Sequence, residues 1–297
     1  MVDVGGSHIA VAICLSPQLE LTHAICTTLP LQGSTDAFLE ALIRSSQQLQ
    51  GNLHTLSGAA IAIAGPFDYP KGISRMRHKL EYLYGFGMKA AIANHFGWLP
   101  ERVQFLNDAD AFLLGEIGTG AARLATRSVG ITLGTGIGSA FALNGQLVTY
   151  GPGVPERGEV WDLPYESGIV EDLISTRALQ ANYLRRTSVM LDVATIAGGA
   201  ATDAAARVVF EEFGRQLGRV LRHVTAQFAP EVIVIGGGIA RSSHLFLPAA
   251  SAELQFAGTC LQVSHQLDNA PLIGAAVSWF GHTGTQSIHE TAISDAL

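Results

Sequence analysis

The sequence predicts an α/β protein of two domains, each opening with a strand, a glycine turn and a second strand. Three observations carry that expectation. Val2-Asp3-Val4-Gly5-Gly6-Ser7 leads into the alternating run Ile9, Val11, Ile13 and Leu15. Ser128–Leu133 leads into Gly134-Thr135-Gly136-Ile137-Gly138 and then Ser139–Leu143. A third glycine cluster, Gly236-Gly237-Gly238, follows the apolar strand Glu231–Ile235. Glycine lets main-chain N–H groups approach an anion with no Cβ in the way, and it reaches φ > 0 at little cost. One such loop is an ordinary hairpin. Three of them, one beside an acid and one beside a hydroxyl, point to a nucleotide held from several sides.

The remaining elements follow in order. Val2–Val4 and the run after it form a hairpin around Gly5-Gly6. A helix over Thr35–Gln50 has Ser34 or Thr35 as its cap, with Ala37, Phe38, Ala41, Leu42 and Leu49 on one face. Ala59–Ala64 is a buried strand stopped by Gly65-Pro66, Val103–Leu106 is another, and Ala109–Gly118 is helical. Asn144-Gly145 turns the second hairpin into Gln146–Thr149. From Asp203 onward, apolar residues recur at three- and four-residue spacing through Phe228 and define one long amphipathic helix. The repeated theme reads as a duplicated domain, 1–106 and 107–280, with a cleft between the halves. A C-terminal tail of about 281–297 packs on the first domain in this reading.

Composition bounds the function. The chain has 297 residues, 48% hydrophobic and 14% charged, enough for two core-rich domains. A net charge of −7 disfavours a nucleic-acid-binding surface. No stretch approaches the about 18 apolar residues of a membrane span, and no basic leader precedes the first strand, so the expected setting is the cytoplasm. Cys14, Cys26 and Cys260 are scattered, and the simplest expectation is buried, reduced thiols.

Asp108 is the expected catalytic group. It ends a strand, where a rigid carboxylate can accept a proton; the bland alternative is an N-cap for the next helix. Asp3 would sit beside the first hairpin and orient Mg²⁺ through water, or simply stabilise the turn. Gly134, Thr135, Gly136 and Gly138 would cradle phosphates, with Gly5, Gly6 and Ser7 beside them. Gly236, Gly237 and Gly238 would meet the adenosine side, or form an ordinary strand-to-helix turn. Asn107, Glu159 and Glu171 carry groups that can hydrogen-bond a polyol; for Glu159 the alternative is a salt bridge with Arg157. His78 and Lys79 are substrate-side candidates by position, with a solvated loop as the alternative. Trp161 and Trp279 are expected to be packing residues.

Taken in order, Asp3-Val4-Gly5-Gly6-Ser7, Ala64-Gly65-Pro66, Asn107-Asp108-Ala109-Asp110-Ala111, Leu133–Gly138, Ile235–Gly238 and Leu272-Ile273-Gly274-Ala275-Ala276 resemble the motif series of ROK-family sugar kinases. The resemblance spans residues 1 to about 280. It implies the ribonuclease H-like, actin-like ATPase fold of the hexokinase–actin superfamily. It also implies ATP and Mg²⁺, a homodimer, a small-molecule sugar as acceptor, and no nucleic-acid or membrane partner. Gly65, Asn107, Glu159 and Glu171 then become sugar-binding residues, and Asp108 the general base.

The chain departs from the family at the zinc segment. Asp162 stands where the family has a histidine, the C-x-C-G-x-x-G-C cysteines are missing, and a shorter Leu163–Gly168 fills the gap. Structural zinc is therefore not expected, and the wall around Glu171 is expected to be looser. Met76-Arg77-His78-Lys79-Leu80 replaces the usual sugar-side asparagine and tryptophan segment. The competing function is a catalytically silent sugar or nucleotide sensor of the same fold.

Overall fold

In the computed structural model, residues 1–15, 18–30, 32–49, 56–77, 79–255 and 258–281 are described. The chain divides into two compact units, Met1–Thr119 with the segment from Asp268 onward, and Gly120–Leu267. The first unit therefore runs to residue 119, thirteen residues beyond the boundary expected at 106/107. The displaced piece is the helix after Asp108, whose backbone packs against the returning C-terminal helix of the same unit. The expected tail, beyond residue 281, lies outside the described residues, as do His78 and Gln50.

The first unit runs β1 (Val2–Val4), β2 (His8–Val11), β3 (Cys14–Leu15), β4 (Glu20–Leu21), β5 (Ile25–Thr28), α1 (Thr35–Gln47) and β6 (Ala59–Ile63). It continues with β7 (Phe67–Asp68), β8 (Ile73–Ser74), α2 (Met88–Phe96), β9 (Val103–Asn107) and α3 (Asp108–Thr119). Its sheet order is β5-β2-β1-β6-β9. The β1–β2 hairpin is antiparallel with Val4 opposite Ile9, and β1, β6 and β9 are parallel. Alternation along β6 explains how both faces are covered. Ile61 and Ile63 join Val2, Val4, Ile9, Phe38 and Ile92 in the main core. Small residues fill the other face: Ala10 and Ala12 meet Leu272, and Ala60 meets Ala275 and Trp279. The helix over residues 270–281 supplies those partners. It approaches α3 so closely that a Cβ at Gly274 would collide with the Ala111 carbonyl, and one at Gly115 with the Ala270 carbonyl. Ser34 caps α1 by accepting from Ala37 N at 3.1 Å, satisfying one of the N–H groups orphaned at a helix start.

The second unit runs β10 (Arg127–Leu133), β11 (Ile137–Leu143), β12 (Gln146–Leu147), β13 (Pro164–Tyr165), β14 (Gly168–Ile169) and α4 (Val170–Leu173). Then follow α5 (Thr176–Thr187), α6 (Val193–Gly199), α7 (Ala204–Thr225), β15 (Val232–Gly236), α8 (Leu247–Leu254) and β16 (Cys260–Val263). The sheet order is β12-β11-β10-β15-β16. Asp203 caps α7, accepting from Ala205 N at 2.8 Å. Val209, Phe210, Phe213, Leu217, Val220 and Leu221 are buried along one stripe of α7, as the sequence spacing requires. Gly214 and Gly218 let α8 press its Phe246 and Ala250 carbonyls against α7.

The cysteines correct the expectation of burial. Cys26 and Cys260 are exposed and Cys14 is half-buried. Cys26 lies on the edge strand β5 and Cys260 on the edge strand β16, where one side of the strand faces solvent. Among the described residues, no single helix is long and apolar enough to cross a membrane, although the bent pair α6 and α7 passes that test together. Most of the α7 stripe is already buried in the core.

Candidate functional site

In the first unit the site candidates gather at one end of the parallel strands. Ile63 ends β6 and pairs with Asn107, which ends β9. Asn107 Oδ1 accepts from Ala109 N at 2.9 Å and Asp110 N at 3.3 Å, so the capping of α3 falls to Asn107. The Asp108 carboxyl accepts from Ala109 N at 3.0 Å and from its own backbone N–H. The cap reading weighed for Asp108 thus belongs to the residue before it.

Asp3 lies in the middle of β1, opposite Ala10 and beside Ala62. Asp3 and Asp108 keep some exposed surface, yet protein surrounds most of each carboxyl. Burial first, and then the charges of Asp108 and Asp268, push the Asp3 carboxyl up to about 7. Burial also raises Asp108, while the Lys79 ammonium and backbone donors pull it back. Desolvation penalises the ionised carboxylate, and like charges add to that penalty. Lys79 is thus a cation that Asp108 feels, a relation its position in the sequence only hinted at. Gly65 precedes a cis Pro66 and lies beside the Tyr69 hydroxyl.

In the second unit the two later glycine turns adjoin each other. Thr132 pairs in register with Gly236. Gly237 has φ of 83°, and a Cβ there would strike the Leu133 backbone. Only here, among the three glycine turns, is positive φ used; Gly5, Gly6, Gly134, Gly136 and Gly138 are not in that region. Gly136 packs against the Glu171 carboxylate, which a Cβ there would have to displace. Glu171 accepts from Ile137 N at 3.3 Å, so it braces the turn expected to cradle phosphates. Thr176 adds a second brace: its Oγ1 donates to the Gly134 carbonyl at 2.8 Å and its N–H at 2.9 Å. Nothing local in the sequence singled out Thr176, which reaches the turn from the start of α5. Thr135 is exposed at the tip. Gly238 opens a run of 3₁₀ turns through Leu245.

Glu159 pairs with Arg157 Nη2 at 3.2 Å and accepts from Trp161 Nε1 at 3.1 Å. The salt bridge weighed against its substrate role is therefore present. Trp161 is 40% exposed and holds Glu159, which corrects the expectation of a packing residue; Trp279, at 4%, is packed as expected. The shortened Leu163–Gly168 segment forms the β13–β14 hairpin, with Pro164 opposite Ile169. Val170 N donates to Leu163 O at 3.0 Å and Glu171 N to Trp161 O at 3.0 Å. Val160 and Val170, next to the two glutamates, are fully buried. Backbone pairing thus braces the wall that was expected to be loose. These residues do not fit a zinc site, since the hairpin offers neither cysteine nor histidine. Among the described residues, no three His, Cys, Asp or Glu side chains converge to hold a metal ion.

Two similarly ordered sheets and the glycine turns at their strand ends invite comparison with known proteins. The family description "ROK family" matches residues 1–281. The chain belongs to the ROK family. It is 27% identical over 311 residues to a glucokinase of Thermotoga maritima, covering 93% of this chain and 95% of that one. Among solved structures it resembles a ROK hexokinase from Thermus thermophilus, with a TM-score of 0.70 and 25% identity over 93% of this chain and 95% of that chain. A ROK glucokinase from Streptomyces griseus, solved with glucose and AMPPNP, gives a TM-score of 0.75 at 20% identity, covering 93% and 96%. The fold is accordingly the actin-like ATPase fold of the ROK hexokinases, and the named relatives are sugar kinases.

Proposed function

We propose that this ROK protein is an ATP-dependent sugar kinase that transfers the γ-phosphoryl group to a hydroxyl of a hexose or N-acetylhexosamine. The observation that carries the reading is the division of labour at the start of α3. Asn107 caps the helix, and Asp108 is held at the strand end with its proton affinity raised. A base whose pKa is lifted toward the working pH is a better proton acceptor. In the reaction the sugar oxygen forms a bond to the γ-phosphorus, its proton passes to Asp108, and the bond to the ADP oxygen breaks.

Gly134, Thr135, Gly136 and Gly138 would hold phosphate oxygens, in a turn fixed from behind by Glu171 and Thr176. Gly236, Gly237 and Gly238 would meet the nucleoside, and Gly5, Gly6 and Ser7 the phosphates nearest Asp3. Asp3 has the charge to attract Mg²⁺, and its repulsion with Asp108 and Asp268 favours a cation there. A lone carboxylate suits a magnesium held through water, since Mg²⁺ keeps much of its hydration shell. Bound there, the metal would neutralise phosphate charge. Gly65, Asn107 and Glu159 would contact the sugar, and Glu171 would do so while also bracing the turn. The reading implies a cytoplasmic enzyme acting as a homodimer.

A coupled ADP-release screen over glucose, mannose, fructose, allose and their N-acetylamino relatives tests the proposal. Turnover with at least one sugar, abolished in Asp108→Asn, is the expected result. Tight sugar or nucleotide binding with no turnover would instead favour the silent-sensor alternative.

A further inference from the structure

Tyr69 has no place in the motif series, yet its hydroxyl ties together the two strand ends that carry the first-unit candidates. It donates to the Ile63 carbonyl at 3.3 Å, at the end of β6. It accepts from Asn107 Nδ2 at 3.1 Å, at the end of β9. Ile63 and Asn107 are partners in the parallel register. The ring is held independently of the hydroxyl: Tyr69 packs on Phe67 with centroids 5.3 Å apart, and Phe67 on Phe105 at 5.0 Å. The same hydroxyl lies beside Gly65, where even a methyl group would touch it.

We propose that Tyr69 is a positioning residue that locks the side-chain amide of Asn107, so that one N–H of Asn107 is presented to the sugar. The argument is one of donor and acceptor inventory. The Tyr69 hydroxyl donates to Ile63 O and accepts from Asn107 Nδ2. Asn107 thus turns its NH₂ to Tyr69. On the other side, the N–H groups of Ala109 and Asp110 need an acceptor, which fixes Oδ1 toward the helix. A flipped amide would set donor against donor at α3 and give up the bond from Nδ2 to Tyr69. The amide has one orientation, and its second Nδ2 hydrogen, which has no partner among the described residues, is a donor of defined direction. A donor so fixed recognises an oxygen acceptor on the substrate, either a hydroxyl or an acetamido carbonyl. The substrate half of this inference rests on the sugar-kinase reading; the lock on Asn107 does not.

Tyr69→Phe keeps the ring and its stacking and removes only the hydroxyl. With ¹⁵N-asparagine labelling, the Asn107 side-chain amide pair is identified by its loss in Asn107→Ala. In Tyr69→Phe that pair should shift and exchange with solvent faster, while the melting temperature stays within a few degrees of wild type. An unmoved Asn107 amide overturns the lock whatever the activity. On the sugar found in the ADP-release screen, kcat/KM should fall about tenfold through KM for sugar, with KM for ATP unchanged. The double variant Tyr69→Phe/Asn107→Ala should lose no more than Asn107→Ala alone, because the two residues act as one unit. An Asn107 amide that shifts while sugar KM stays at wild type, or losses that simply multiply in the double variant, overturn the substrate role. If wild-type protein phosphorylates no sugar, the kinase reading and the substrate half fall together, and the amide resonances still decide the lock.

Discussion

The first unit orders its sheet β5-β2-β1-β6-β9 and the second β12-β11-β10-β15-β16, so each has a hairpin followed by parallel strands. The chemistry at their strand ends differs. Asp3 and Asp108 crowd carboxylates together in the first unit, with Asp268 adding to their repulsion. The second unit places neutral glycine turns in the corresponding region, braced by Thr176 and Glu171. On the proposed reading, one scaffold serves two tasks: proton and cation chemistry in one copy, main-chain N–H presentation in the other. What separates them is a few residues at turns, because the sheet hydrogen bonds do not depend on which side chains stand at strand ends.

The sharpest test of that comparison is Asp108→Asn. It should lower kcat by about 10²–10⁴-fold, the range of a positioned base, with nucleotide affinity little changed. Steady-state kinetics with a separate nucleotide titration checks it, and near-normal turnover would remove proton transfer from the first unit's role.

In the second unit the sensitive element is backbone. Gly237→Ala must adopt φ of 83° and push against Leu133. It should destabilise the protein by about 1–3 kcal/mol or more, the cost of strained backbone. Urea denaturation measures the loss. A wild-type midpoint would show that the glycine turns of this unit are ordinary.

The two glutamates sharpen the division further. Glu159→Gln should raise KM for sugar alone, by a charge-assisted hydrogen bond of about 1.5–3 kcal/mol. Glu171→Gln should raise KM for both sugar and ATP, because Glu171 also braces Ile137 and Gly136. If Glu171→Gln leaves KM for ATP untouched, the turn does not need that brace.

A pH series probes the carboxylates. Asp3 binds a proton more tightly in the folded chain, with its pKa near 7 against an ordinary 3.8. Its contribution to stability is thus full below about pH 4 and lost as pH rises toward 7. Asp3→Asn removes that loss, so its melting temperature relative to wild type should climb between pH 4 and 7. A constant difference across that range would mean the Asp3 carboxyl titrates normally. The smallest effect is expected from Lys79→Met. It removes a cation that lowers Asp108, so the acid limb of kcat/KM should move to higher pH. A limb that stays put or moves down contradicts that placement of Lys79.

Much of the fold was legible because periodicity and punctuation agree. Phe38, Ala41 and Leu42 define α1 behind the Ser34 cap, and the Asp203 cap starts α7 where the apolar stripe begins. The boundary between units was not legible, since it depends on Gly115 and Gly274 meeting across about 160 residues of chain. At the site, the strand-end position of Asn107-Asp108 could be read, but not which of the two caps α3. The bracing of Gly134 by Thr176 and of Asn107 by Tyr69 are contacts distant in sequence with no local pattern. The cysteines misled for a related reason: composition says nothing about which strands lie at a sheet edge.

The β13–β14 hairpin has a consequence for how this chain meets its surroundings. Between Glu159 and Glu171 the backbone closes on itself through peptide groups, and peptide groups neither oxidise nor exchange ligands. A segment pinned by thiolates answers to peroxide and to metal supply. This one should answer to neither. Its exposed thiols, Cys26 and Cys260, stand on edge strands away from that hairpin in the chain, where oxidation would modify an edge rather than unpin the two glutamates.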